Sequence, residues 1–145
     1  FNYPELAEII FKNFDTENVT TMAQAFCNCE KLTAIDLSGF CTDNVTNMGW
    51  MFSGDAALTS INLSGFDTEK VTDMTSMFSG CKNLTTIYAS DKFKTGNVSS
   101  SSNMFTDCIK LVGSQNQRYN ADYTDKTYAR IDGANGMVGY FTAAQ

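Results

Sequence analysis

Apolar residues recur along this chain at a nearly constant interval. Val19, Val45, Val71 and Val98 form one column, and Met22, Met48 and Met74 the next, which Ser101 breaks. Ala25, Met51, Met77 and Met104 follow, then Phe26, Phe52, Phe78 and Phe105. Farther along come Leu32, Leu58, Leu84 and Leu111, then Ile35, Ile61 and Ile87, and last Leu37, Leu63 and Ala89. The interval is 26 residues, stretched to 27 in the last unit by an extra residue near Asp91-Lys92. A fixed period of this size predicts stacked structural units, each too small to bury its apolar face alone.

Two shorter periods lie inside each unit. Val71, Met74 and Phe78 are spaced i, i+3, i+7, which predicts one face of a short helix. Thr68, Asn44 and Asn18 lie just upstream, where they would cap its first turn. The segment Leu84-Thr85-Thr86-Ile87-Tyr88-Ala89 reads L-x-x-I-x-L, with inward residues alternating as in a strand. Ser38-Gly39 and Ser64-Gly65 then predict turns back toward the next Phe. The expected fold is an α/β repeat. It is a leucine-rich-repeat-like right-handed solenoid, with short parallel strands on one face and short helices on the other.

The same columns predict the organisation of the chain. Leu6, Ile9 and Phe11 lie one period before Leu32, Ile35 and Leu37, so residues 1–13 read as a partial N-terminal repeat. Four repeats follow, at 14–39, 40–65, 66–92 and 93–113. The abrupt opening at Phe1 reads as a piece of something longer. After Leu111 the pattern fails, and Ser114 stands where Ile87 would be. Residues 114–145 are rich in Tyr and Gly and read as an aromatic C-terminal cap over the last unit's open core.

These residues resemble a known family. The run Phe66-Asp67-Thr68-x-x-Val71-Thr72-Asp73-Met74-x-x-Met77-Phe78-x-x-Cys81-x-x-Leu84-Thr85-x-Ile87 is similar to the repeat of the BspA-like leucine-rich-repeat surface proteins of bacteria, also called lactobacterial-type surface repeats. The tail from Tyr128-Ala129-Arg130-Ile131-Asp132-Gly133 to Gly139-Tyr140-Phe141-Thr142 resembles the segment that often follows the last repeat there. Val138 stands where the family often has Pro. Lys94, Ser101 and Ser114 make the fourth unit degenerate, which predicts poorer strand geometry there. The resemblance implies an exported, extracellular, cell-surface protein and, in some members, adhesion to host matrix proteins or other bacteria. It implies no catalytic residues and no single ligand.

Composition narrows the chemistry. Hydrophobic residues make up 43% of the 145, so a packed core is available. Acidic residues outnumber basic ones 16 to 10, for a net charge of −6, which disfavours nucleic acid and anionic membranes as partners. No apolar run approaches the roughly 20 residues needed to span a bilayer, so no membrane insertion is expected within this segment. The chain has no His, which removes the commonest metal ligand and the usual general base near neutral pH. The acidic residues fall at repeat positions with changing neighbours, and neither an enzyme, a cofactor nor a metal centre is expected.

Three sets of residues carry types that chemistry or modification uses. Cys29, Cys81 and Cys108 share a column that Asp55 enters in the second unit. They read as buried structural thiols, with Cys27 and Cys41 the pair best suited to a disulfide. Asn-x-Ser/Thr occurs at Asn18, Asn44, Asn62, Asn83 and Asn97, better explained by turn and cap bonding than by glycosylation. Asp122, Asp125 and Asp132 lack the spacing of a calcium loop and read as turn residues.

What remains is a binding surface. The columns between the inward strand residues hold Ala34, Ser60 and Thr86, and then Asp36, Asn62 and Tyr88. On the helical side Trp50, the only Trp, stands in a column with Gln24, Ser76 and Asn103. Tyr and Trp are enriched at interaction hot spots, so the candidate surface is Trp50, Tyr88, Asp36, Asn62, Ser60 and Thr86. The expected function is a non-catalytic protein-interaction module with a host or bacterial surface protein as partner. A structural spacer and a carbohydrate-binding module fit the same residues.

Overall fold

A computed structural model describes residues 3–145. Phe1 and Asn2, which open the first half-unit, lie outside the described residues. Among the described residues five short strands carry the regular structure: β1 (Glu8–Ile9), β2 (Ala34–Ile35), β3 (Ser60–Asn62), β4 (Thr86–Ala89) and β5 (Phe141–Ala143). All sheet pairings are parallel and fall in two sheets, β1-β2 and β3-β4-β5. The register is one repeat: Ile9 pairs with Ile35, and Ile61 with Ile87.

The expected helices are absent. Among the described residues the only helical segments are two single 3₁₀ turns in the tail, Lys126–Tyr128 and Ala134–Gly136. The stretches with the i, i+3, i+7 spacing are instead runs of consecutive turns. Two residues per unit cause this, because both sit in the left-handed region. One column is Gln24, Trp50, Ser76 and Asn103; the other is Asn28, Gly54, Gly80 and Asp107. An α-helix requires every residue on the right-handed side. Every second amide therefore points out of its own unit, to the next. The amides of Met48, Trp50, Phe52 and Gly54 donate to the carbonyls of Asp73, Thr75, Met77 and Ser79 at 2.7–2.9 Å. The intervening amides of Met51, Ser53 and Asp55 close turns on Met48, Trp50 and Phe52. The same alternation recurs in the units before and after. It forms a turn ladder, continued by parallel bridges from Thr21 to Asn47, Asp73 and Ser100.

The expected caps bond between units as well. The Thr68 hydroxyl donates to the Lys94 carbonyl and accepts from the Lys94 amide, and Thr42 does the same with Asp67. Asn44 donates to the Glu17 carbonyl, while Asn18 is exposed. These buried or bridging polar groups fasten one unit to the next.

The core runs along the stack. Val45, Met48, Met51, Phe52 and Leu58, with their counterparts Val71, Met74, Met77, Phe78 and Leu84, have no solvent exposure. Phe26, Phe52, Phe78 and Phe105 stack face to face at 5.6–5.7 Å, nearly parallel. Tyr140 meets the last ring edge-on at 5.1 Å. In the first half-unit Leu6, Ile9 and Phe11 are only partly buried, and Phe14 is 54% exposed where its counterpart Phe66 is 1% exposed.

The fourth unit forms no strand of its own at Ser114. β5 arrives from the tail instead and places Phe141 opposite Ile87. The buried Asp132 holds this arrangement. Its Oδ2 accepts from the amides of Gln115 and Gln117, and its Oδ1 from the amide of Gly139. Close backbone approach requires two glycines here. A Cβ on Gly113 would lie 2.2 Å from the Gly139 carbonyl oxygen, and one on Gly139 2.1 Å from that of Arg130.

Candidate interaction surface

Strand alternation places two columns of side chains outward. Ile61, Ile87 and Ala89 point into the core, so Ser60, Asn62 and Tyr88 face out, and Thr86 is half-buried beside them. Ser60 pairs with Thr86, and Asn62 with Tyr88. Tyr88 is 37% exposed and also pairs with Thr142 of β5, which holds its backbone on both sides. Asp36 and Asn62 do the same local job: each Oδ1 accepts the amide two residues on, from Ser38 and Ser64. The Ser38 amide and then its hydroxyl hold the Asp36 carboxyl below its usual range, so it stays charged. The structure thus brings Ser60, Asn62, Thr86 and Tyr88 together on β3 and β4, and places Asp36 just past the end of β2 in the other sheet.

Trp50 does not join them. It lies in the turn ladder, in the left-handed region at φ 55°, and is 39% exposed. Its amide donates to Thr75 and its carbonyl accepts from Ser53. This conformation is rare for a bulky side chain. Gln24 and Asn103 accommodate the same geometry elsewhere in the column.

Two further residues extend the strand face and were not singled out from the sequence. Glu8 is the partner of Ala34, and Ile10, 67% exposed, lies one period before Asp36. Subtracting the repeat interval, which placed Leu6 and Ile9, finds both. Around them a cleft of about 690 Å³ opens between the first half-unit and the next, where β1 and β2 end after two residues. Ile10, Phe14, Ile35 and Phe40 give it an apolar lining, with Glu8 and Asp36 as its acidic members. The surface so built runs from this acidic, apolar cleft to the Tyr88 ring. A second, polar cleft of about 580 Å³ lies between Ser99–Ser102 and the tail residues Asp122 and Asp125.

The titratable groups elsewhere serve the core. All five cysteines are free thiols. Cys81 and Cys108 donate through sulfur to the carbonyls of Phe52 and Phe78, both at 3.1 Å. Burial pushes the Cys108 thiol up to about 12 and Cys81 well above its ordinary value. Among the described residues no three His, Cys, Asp or Glu side chains converge as metal ligands would, and no helix is long and apolar enough to cross a membrane. Of the Asn-x-Ser/Thr runs, Asn44, Asn83 and Asn97 bond between units, Asn83 and Asn97 donating to the carbonyls of Ala56 and Glu69, whereas Asn62 bonds within its own turn.

Neither the curated proteins nor the solved structures contain a match to the chain. One family model does match, over residues 2–124. That span covers the repeats, the turn ladder and the outward strand columns, and stops before the segment that carries Asp132 and β5. Since it takes in most of the 145 residues, the chain belongs to the family described as Mycoplasma protein of unknown function, DUF285.

Proposed function

We propose that this chain is a non-catalytic protein-interaction module of a bacterial cell-surface protein, serving adhesion to host matrix proteins or to other cells. The single observation that supports it most is the strand face. Two outward columns vary from unit to unit, while the residues beneath them at Ile61, Leu63, Ile87 and Ala89 are apolar and sealed. A rigid backing under a variable surface suits recognition, because little entropy is lost when the surface is covered. The cleft at one end supplies an apolar anchor point next to two carboxylates, and Tyr88 supplies an aromatic one. A partner with apolar and basic side chains complements that pattern and the net charge of −6.

In this reading the stacked units are a leucine-rich-repeat-like right-handed solenoid of the BspA-like kind, displayed outside the cell. Affinity comes from many weak contacts, multiplied where several copies share one surface. The polar cleft between Ser99–Ser102 and Asp122 favours a second reading, in which a glycan is the ligand. A third reading makes the stack a spacer.

A binding survey separates them. The whole chain, immobilised, is offered host matrix proteins and a glycan array, beside Tyr88→Ala and Ile10→Asp. The adhesion reading expects saturable capture of a protein, weakened about tenfold or more by either substitution, as for a hot-spot residue, with circular dichroism unchanged. Capture of glycans alone moves the function to the second reading. Saturable binding to neither overturns both and leaves the spacer.

A further inference from the structure

Asp55 stands in the column that Cys29, Cys81 and Cys108 occupy in the other units. Its side chain has no solvent exposure. Oδ1 accepts from the Cys29 amide at 2.8 Å, whereas Oδ2 is buried without a hydrogen-bond partner among the described residues. A buried ionised carboxylate with half its lone pairs unanswered is strongly disfavoured.

The neighbouring units show what this position does. Cys81 is a donor to the carbonyl of Phe52, and Cys108 is a donor to that of Phe78. The equivalent acceptor for Asp55 is the Phe26 carbonyl. The bond that Cys81 and Cys108 make from their amides to the preceding Phe carbonyl is also missing in the first unit. There the Cys29 amide goes to Asp55 instead. A donor is therefore called for where the sequence supplies a carboxyl group, and a carboxyl group donates only when protonated.

We propose that Asp55 is a pH-sensitive joint between the first and second units: held as a neutral acid, it accepts from the Cys29 amide through Oδ1 and donates to the Phe26 carbonyl through Oδ2–H, and it loosens that joint when it ionises. The titratable groups that face it are the thiols of Cys27, Cys29 and Cys81. None is a cation, and the only bond favouring the charged form comes from the Cys29 amide. Burial outweighs that bond and pushes the carboxyl up to about 8. The unfolded chain releases the same proton near pH 4. The folded state thus holds one proton more between those values. The stability this proton contributes is fully present below about pH 4 and is lost as pH rises toward 8.

The test is urea unfolding of the whole chain at pH 5, 6, 7 and 8, beside Asp55→Asn and Asp55→Cys. The folding constant of the unaltered protein should fall about tenfold per pH unit from pH 5 to 7 and less steeply toward pH 8. Asp55→Asn keeps an acceptor and a donor but cannot ionise, so its constant should hold within about twofold from pH 5 to 7. The other shifted carboxyls, Asp36 and Asp125, are lowered and titrate on the acid side of the window. The buried thiols are raised in the fold while the unfolded chain releases its thiol protons near pH 8.5, so they lower the folding constant of both proteins alike, and only above about pH 7.5. A flat profile in the unaltered protein, or the same slope in Asp55→Asn, overturns the proposal. Should the variants not fold, the ¹³Cγ resonance of Asp55 in the unaltered chain decides: an acid form at pH 6 that titrates near 8 upholds it, and a carboxylate form at pH 5 overturns it.

Discussion

The turn ladder and the strand ladder are built from the same repeats, yet they are not equally continuous. The turn ladder carries hydrogen bonds across every junction from the first full unit to the fourth. The strand ladder divides between β2 and β3, and its last rung is a segment from the far end of the chain. The difference lies in what each demands of sequence. The turn ladder uses backbone groups, small or left-handed-tolerant residues and one ring per unit, all of which recur. The strand ladder needs an alternating apolar residue at a set position, and Ser114 does not supply it. Cohesion thus rests with the turns, and the strands are left freer to vary on their outward side.

Removing a ring from the turn ladder should have the largest effect. Phe78 stacks between Phe52 and Phe105 and is fully buried. Phe78→Ala should lower unfolding stability by about 3–5 kcal/mol, read by urea denaturation, because the neighbouring units hold the cavity open. A loss below about 1 kcal/mol would mean that the ring stack is not what joins the units.

A smaller loss is expected from Gly54→Ala. Gly54 has φ +82°, and a Cβ there would lie 2.2 Å from Asn28 Oδ1. The left-handed conformation alone costs a non-glycine residue about 1–2 kcal/mol, and the Asn28 side chain must also move. If thermal melting shows no loss, the left-handed column is less essential to the turns than the backbone angles suggest.

The smallest effect is expected from Trp50→Asn. Asparagine tolerates the left-handed region, and Asn103 already occupies this column in the last unit. Stability should change by less than about 1 kcal/mol as lost ring contacts and relieved strain offset each other. This substitution is therefore the way to ask whether the turn side also binds. Loss of partner capture with melting unchanged would extend the interaction surface beyond the strands.

Much of this was legible in the residues. Period, parallel register and inward columns all follow from apolar spacing, which reports burial directly: Val71, Met74, Met77, Phe78, Leu84 and Ile87 are all sealed. The helices were misread for a physical reason. Spacing of i, i+3, i+7 marks which residues turn inward, and successive turns return side chains to one side much as a helix does. What separates them is where the amides go, and an amide bonded to a residue one period away leaves no trace in local spacing. The binding surface was legible in part. Asp36, Asn62 and Tyr88 are found because they occupy an outward column between the inward residues of an alternating pattern. Ile10 and Phe14 did not, because their exposure depends on the opening between the first two units.

By itself, the sequence determined the repeat, the composition of the core and the side of each strand that faces out, because apolar periodicity and burial express the same free energy. Only the tertiary structure decided the rest. It replaced helices with stacked turns, because interunit hydrogen bonds satisfy amides that a helix would have used internally. It brought β5 into the place that Ser114 leaves open, because an apolar residue, Phe141, was available far along the chain. It also sealed Asp55 among thiols, where a side chain ordinarily charged at neutral pH is favoured without its charge.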